Sequence, residues 1–358
     1  MSGFWQRILG KAPPPSAFPT TQPAGPVTEP APAPGLERYE LLQELGRGAM
    51  AIVHLARERE TGRLVAIKRM AFQREFAPED LADVRQRFMR EARAAGHLQH
   101  PDIPRMLDAG EAAGDAWIAM EYVEGQDLSH FTQAGHLLSV AEVLRVAVRL
   151  ARALGYAHSQ GVVHRDIKPA NVMLDHAHDR LKIMDFGIAR IADGSRTRTG
   201  LVLGTPSFMS PEQLAGLKVD GRSDLYSLGV MIYQLLTGHL PHHSESMAKL
   251  MYMIANEVPA DVRQYRPELP EGLALVLALA LEKRPELRYA SGEQMAQDLE
   301  AVLARLPSGG SAAPSVEAAA PVAPAASDSV DPFAQTMRLK STEPGQNPAP
   351  PSSPPAKT

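Results

Sequence analysis

The chain is expected to fold as an α+β protein of two unequal lobes, a small β-rich one followed by a larger helical one. Three observations predict this. Strand-like runs separated by glycine turns fill residues 39–69; capping signals and apolar spacings of three and four take over beyond residue 139; and proline is concentrated at the two ends. Of 31 prolines, 9 lie in residues 1–35 and 11 in residues 307–358. Both ends are also rich in Ala, Ser and Thr, and such segments carry too little apolar surface to offset the entropy of ordering. They are read as disordered extensions, 1–35 and 307–358. The folded unit is read as 36–306, with a first lobe at about 36–121, a hinge at about 121–127 and a second lobe at about 128–306.

Each element follows in order. Tyr39 to Leu45, Ile52 to Arg57 and Leu64 to Arg69 read as three strands, with Gly46-Arg47-Gly48 at the first turn and Thr61-Gly62 at the second. Residues 79–98 read as a charged helix, with Leu81, Val84, Phe88 and Ala92 on one face. Short strands follow around Arg105–Gly110 and Trp117–Glu121. Ser139 and Glu142 form a capping box that opens a long apolar helix to about His158. Two short strands flank an Asp175–Arg180 turn, and the remainder is mostly helical. A second capping box, Ser291 with Gln294, opens a final helix ending near Leu306.

Composition excludes several classes. The 358-residue chain has a net charge of −4, so no global basic field points to nucleic acid. It contains no cysteine, which rules out disulfides and thiolate zinc sites and fits a reducing, cytoplasmic setting. The longest apolar run, Leu273 to Leu281, falls short of the roughly 20 residues that cross a bilayer and reads as a buried helix. The N-terminal MSGFWQRILGK has no sustained apolar core and no clear small-residue cleavage site, so it is not read as a secretory signal. Phe4, Trp5, Ile8 and Leu9 could line a short helix that docks to a partner or a membrane surface, but so short a face binds weakly, and membrane contact is not expected.

The chemistry-bearing motifs are polar islands between apolar runs. Gly46-Arg-Gly48-Ala-Met-Ala51 comes close to G-x-G-x-x-G but is followed by the strand Ile52–Leu55 rather than a helix. That context favours a flexible hairpin lid over phosphates rather than a dinucleotide turn. Lys68 ends Val65-Ala-Ile-Lys, where it would be aimed at phosphates. It needs an anion, and Glu91 is the natural candidate, although Arg87, Arg90 and Arg93 on the same helix compete for that carboxylate. In VVHRDIKPANVML, residues 162–174, Asp166 could accept a proton from an attacking hydroxyl. Lys168 could neutralise a transferring phosphoryl group. Asn171 and Asp185 offer the oxygen ligands preferred by a hard cation. Phosphoryl transfer asks for positioning and charge neutralisation more than covalent chemistry, so this set suffices.

In this order, GRGAMA, VAIK, a helix Glu, HRDIKPAN, DFG, GTPSFMSPE, SDLYSLG and Arg288 make the chain resemble the eukaryotic-like (Hanks-type) serine/threonine protein kinases, most closely those of bacteria, over about residues 39–306. The resemblance implies the two-lobed protein kinase fold, ATP with Mg²⁺ (Mn²⁺ as an alternative ion), and transfer to Ser or Thr hydroxyls of proteins. It implies Asp166 as base, Lys168 as the phosphoryl-stabilising lysine, Lys68 on the α- and β-phosphates paired with Glu91, and Asn171 and Asp185 as metal ligands. Gly46, Gly48 and Val53 resemble the lid, and Ala66 and Met173 would sandwich adenine. Met120 resembles the gatekeeper, with Glu121 and Val123 giving hinge backbone hydrogen bonds. His164 and Phe186 look like packing links, Asp224 like the anchor beneath the catalytic loop, and Glu212 with Arg288 like a buried ion pair. Ala51 departs from the family's usual glycine, which stiffens the lid.

Thr197 and Thr199, between Asp185 and Glu212, resemble autophosphorylated activation-loop sites, with Arg165 as the waiting partner of a phosphate. Thr336, in an apolar island of the C-terminal tail, could be a docking or autophosphorylation motif for a phosphothreonine-reading partner, and a kinase dimer is a further partner. His239, His242 and His243 lack the acidic or thiol groups that would complete a metal site. The rivals to an active protein kinase are a pseudokinase-type nucleotide-binding scaffold, disfavoured by the complete set Lys68, Asp166, Asn171 and Asp185, and a small-molecule kinase, disfavoured by the long Asp185–Glu212 segment.

Overall fold

The computed structural model describes residues 35–47, 51–70, 72, 76–112, 115–133, 135–186 and 206–306. Gly48, Thr197, Thr199, Thr336 and both proline-rich ends lie outside the described residues.

The first part of the chain is a five-stranded antiparallel sheet in the order β1-β2-β3-β5-β4. Its strands are β1 (Tyr39–Arg47), β2 (Ala51–Glu58), β3 (Leu64–Met70), β4 (Met106–Ala112) and β5 (Asp115–Glu121), with helix α1 (Leu81–Gly96) inserted between β3 and β4. Because strand side chains alternate, the sheet buries two separate clusters. Val65 and Ile67 of β3 and Trp117 and Ala119 of β5 pack with Tyr39 and Ala56 on one face. Ala66 and Met70, with Ile118 and Met120, pack on the other face against Val84, Phe88 and Ala92 of α1. Phe72 meets Phe88 edge-on at 5.4 Å and fastens that helix to the sheet. Lys68 lies two residues from both Ala66 and Met70 and so shares the helix-side face. This alternation places its ammonium in the cleft.

β1 stands at one end of the sheet order. It is an edge strand, exposed at every position after Tyr39, including Leu41, Leu42 and Leu45. Register shifts after Leu41 and Glu44 bend it.

The second part begins with a small sheet, β6 (Gln126–Asp127), β7 (Val172–Asp175) and β8 (Arg180–Ile183), around helix α2 (Val140–Ser159). The Ser139 capping box is complete: its hydroxyl accepts from the Glu142 N–H, and Glu142 accepts from the Ser139 N–H at 2.9 Å. Helices α3 (Gly221–Thr237), α4 (Met247–Asn256), α5 (Glu271–Ala280) and α6 (Gly292–Leu303) complete the core. The Ser291 box is only half made. Ser291 caps Gln294, but the Gln294 side chain accepts from the Ala290 N–H instead. The apolar helix α5 is buried on one face only, with Leu275 64% exposed on the other. Among the described residues no helix is long and apolar enough to cross a membrane.

Candidate active site

The loop after α2 is built by hydrogen bonds that leave little freedom. Lys168 Nζ donates to Asp166 Oδ2 at 2.7 Å. Asn171 Nδ2 donates to the Asp166 carbonyl at 2.8 Å and to its Oδ2 at 2.9 Å. The Asn171 amide nitrogen is thus committed to Asp166, and its Oδ1 is the atom left to accept or to ligate. The Met184 N–H donates to the Asn171 carbonyl at 2.8 Å, which brings Asp185 alongside. His164 Nδ1 accepts the Asp166 N–H at 3.2 Å, so the ring proton sits on Nε2 and is donated to the Met184 carbonyl at 2.7 Å. Phe186 packs edge-on against His164 at 4.7 Å. The loop and the 184–186 segment are therefore joined by main-chain, imidazole and ring contacts.

Beneath them lies Asp224, in the first turn of α3 and fully buried. One carboxylate oxygen accepts the His164 N–H at 2.8 Å and His158 Nε2 at 2.7 Å; the other accepts the Arg165 N–H at 2.7 Å. Gly221 makes this approach feasible, since a Cβ there would lie 2.5 Å from His158 Nδ1. Gln213 Nε2 donates to the Arg165 carbonyl at 2.8 Å and fixes the loop from the other side. Gln213 is itself held by Ser210 in a capping box, and Glu212 beside it is clamped by Arg288, Nη1 to Oε1 at 2.7 Å and Nη2 to Oε2 at 2.7 Å. Burial raises the Glu212 carboxyl pKa, but the Arg288 and Ser223 hydrogen bonds outweigh it and hold the group below the ordinary carboxylate range.

Across the cleft, Lys68 is buried and its Nζ lies 2.7 Å from Asp185 Oδ1. Burial alone would push Asp185 up; the Lys68 charge and hydrogen bond outweigh it and keep the carboxylate ionised. Sequence reasoning expects Glu91 as the partner of Lys68. Among the described residues Lys68 takes Asp185 as its ion-pair partner, and Glu91 Oε1 lies 3.7 Å from Arg90 Nη2 on its own helix. The Asp185 side chain is 31% exposed and that of Glu91 15%, so burial alone does not decide between the two carboxylates. Arg165 and Asp185, at φ 69° and 66°, adopt left-handed backbone that side chains rarely take.

The other expected residues are distributed as follows. Gly46 is opposite Val53 in the β1–β2 ladder, and Ala66 is opposite Met120 in the β3–β5 ladder. Val53, Ala66 and Met120 belong to the cluster on the cleft side of the sheet. Met173 is not part of that cluster; it lies on β7, paired with Asp127. Glu121 sits where the two parts of the chain meet. Its N–H donates to the Arg105 carbonyl at 2.9 Å, and its Oε2 accepts from the Arg105 N–H at 3.1 Å and from Lys182 Nζ of β8 at 2.9 Å. Val123 follows, half-buried. The donor set fits a hard divalent ion: an ionised Asp185 carboxylate and a free Asn171 Oδ1, both oxygen, with no soft ligand beside them. The three histidines 239, 242 and 243 form no such site. His239 stacks on Tyr265 at 4.7 Å, His242 is buried, and no metal-holding group of His, Asp and Glu occurs among the described residues.

Comparison with known proteins agrees with this geometry. The family model described as protein kinase domain matches residues 39–299. The chain belongs to the protein kinase domain family. It is 40% identical over 270 residues to the serine/threonine-protein kinase PknB of Mycobacterium tuberculosis, covering 74% of this chain and 42% of that protein. It is 39% identical over 276 residues to the serine/threonine-protein kinase pkn3 of Myxococcus xanthus, covering 74% of this chain and 50% of that one. The chain thus spans half or less of these curated relatives. Among solved structures it is similar to the PknI kinase domain of Mycobacterium tuberculosis, with 32% identity, a TM-score of 0.59, and 74% of this chain and 96% of that one covered.

Three residues of this kinase domain that support the site are not singled out by sequence reasoning: His158, Gln213 and Lys182. His158 looks like the last polar residue of an apolar helix, and Lys182 like a solvated strand residue. Only Gln213 carries a signal, the Ser-x-x-Gln spacing that opens a helical turn.

Proposed function

We propose that the chain is an ATP-dependent serine/threonine protein kinase whose catalytic unit runs over about residues 36–306. The observation that carries this reading is the bonding of Lys168 and Asn171 to a single carboxylate, Asp166, in a loop joined through Met184 to the Lys68–Asp185 pair. Asp166 takes the proton of the Ser or Thr hydroxyl as its oxygen bonds to the γ-phosphorus. The bond from phosphorus to the β–γ bridging oxygen breaks, and ADP leaves with that electron pair. Lys168, hydrogen-bonded to the base, neutralises charge on the moving phosphoryl group. Lys68 binds the non-transferred phosphates. A divalent ion, Mg²⁺ or alternatively Mn²⁺, would be held by Asn171 and Asp185 and would supply charge neutralisation between the phosphates. Glu121 and Val123 offer backbone groups to adenine, and Ala66, Met120 and Met173 its apolar walls.

Regulation is proposed to run through phosphate on Thr197 or Thr199, with Arg165 as the receiving cation. The substrates are proteins, the compartment is that of cellular ATP, and a phosphothreonine-reading partner and a second kinase copy complete the expected company. The test is incubation with Mg-ATP and a generic protein substrate beside an Asp166→Asn control, followed by phosphosite mapping. Phosphate on Ser and Thr in the wild type alone supports the reading; ATP binding with no phosphate on either protein would instead favour the scaffold.

A further inference from the structure

A groove of about 240 Å³ opens in the helical part, between α5 and the segment that follows α4, and shares no lining residue with the catalytic site. Ala274, Leu277 and Ala278 of α5 line one side, and Val258, Pro259 and Ala260 the other. Apolar surface continues beyond it. Val258 is 87% exposed, more than any other large apolar side chain among the described residues. The exposed Leu275 stands three positions before Ala278, the spacing of neighbours on one helix face. Single exposed apolar side chains need no partner, but an apolar groove that runs onto two of them marks an interaction surface.

The rim is acidic. Asp261 and Glu282 line the groove and are exposed. Asp261 accepts the Arg263 N–H at 2.8 Å, a bond to neutral backbone that leaves its charge in place. Glu257 stands near enough to act on the charge of Lys283. Lys283 is the cation of the lining, and its ammonium is directed at buried residues, donating to the Ile254 carbonyl at 2.8 Å and contacting His242 Nε2 at 3.1 Å. A fitting occupant therefore brings bulky apolar groups and positive charge, without acids of its own.

The chain carries such a segment outside the described residues. Phe4, Trp5, Ile8 and Leu9 recur at helical spacing, Arg7 and Lys11 stand among them, and no acid precedes Glu29. The other apolar island, 331–339, sets Asp331 against Arg338 and has no net charge. Residues 12–35, at about 3.1 Å each for a proline-rich linker, span about 75 Å. A domain of about 270 residues has a radius of gyration of only about 18 Å, so the groove lies within reach of the segment's own chain.

We propose that this groove docks the N-terminal segment of the same chain, with Phe4, Trp5, Ile8 and Leu9 covering Val258, Leu275 and Ala278, and Arg7 and Lys11 facing Asp261 and Glu282.

The chain has no cysteine, so an introduced thiol is the sole one and reports the groove. Ala278→Cys, at an exposed lining position, is placed in the full chain and its alkylation by iodoacetamide is timed, with and without the pair Trp5→Asp and Ile8→Asp. A segment docked about four-fifths of the time slows alkylation about fivefold, and the paired substitution should abolish that protection. Arg7→Glu with Lys11→Glu should remove most of it, since like charges then face each other. Leu64→Cys, on β3 in the other lobe, should react at one rate in every background. Oxidation of Ile8→Cys combined with Ala278→Cys should give a disulfide within a single chain. The proposal is overturned if the paired substitution leaves the alkylation of Ala278→Cys unchanged, or if the disulfide forms only between separate chains.

Discussion

Asp224 Oδ1 accepts the backbone N–H of Arg165 at 2.7 Å, and Arg165 is held at φ 69°. The two residues stand 59 positions apart, so a carboxylate on one helix props up a strained turn that carries the neighbouring Asp166. Asp224→Asn keeps the volume but turns one acceptor into a donor facing donors. Activity should fall by about 100-fold while the fold is retained, since small displacements of a catalytic group cost that much. Steady-state kcat beside circular dichroism checks it; unchanged kcat would remove Asp224 from the account.

Asp166→Asn should lower kcat by roughly 10²–10⁴-fold, the usual worth of a positioned base. The KM for ATP should stay within a few-fold. A raised KM with kcat preserved would mark Asp166 as a binding group instead.

Glu212→Gln should cost about 3–5 kcal/mol, because it leaves the buried Arg288 guanidinium without its counter-charge. The pH dependence has a definite sign. The folded Glu212 carboxyl is held low, so its stabilisation is complete above the unfolded value near 4.3 and is lost as pH falls through the lower folded value. Urea titrations should show wild-type stability falling more steeply in that acid range than the variant's.

His242 acts earlier on the pH scale. Its folded pKa of about 4 lies below the ordinary 6.5, so between those values the unfolded chain binds the extra proton and stability declines as pH falls. Full loss is up to about 3 kcal/mol. His242→Phe should flatten the profile between pH 6.5 and 4; an unchanged slope there would show that burial does not keep the imidazole neutral.

Gly292→Ala should destabilise by about 3 kcal/mol or more in thermal unfolding. A Cβ there would sit 2.1 Å from the Ala151 carbonyl and 2.7 Å from the Gly155 nitrogen, where α6 crosses α2.

The order of elements, their boundaries to within a few residues and the long α2 with its cap were legible because periodicity and capping are local. β1 was less so, as nothing in Leu41, Leu42 and Leu45 says which sheet edge will be left uncovered. In Leu273–Leu281 the unbroken apolar run hid the helix's two faces. At the site, the chemically distinctive residues Lys68, Asp166, Asn171 and Asp185 announced themselves by type and order. Their supports did not. Whether Lys68 meets Glu91 or Asp185 depends on packing across the cleft, and both carboxylates satisfy the same sequence pattern. His158 matters through a partner 66 residues away, which no local spacing encodes.

The Glu121 side chain has a mechanical consequence. One carboxylate oxygen is shared between the Arg105 backbone of the first lobe and Lys182 of the second. The end of β5 is thereby tied on one side to the main chain just before β4 and on the other to β8, so a single carboxylate oxygen joins the two sheets at the segment that connects them.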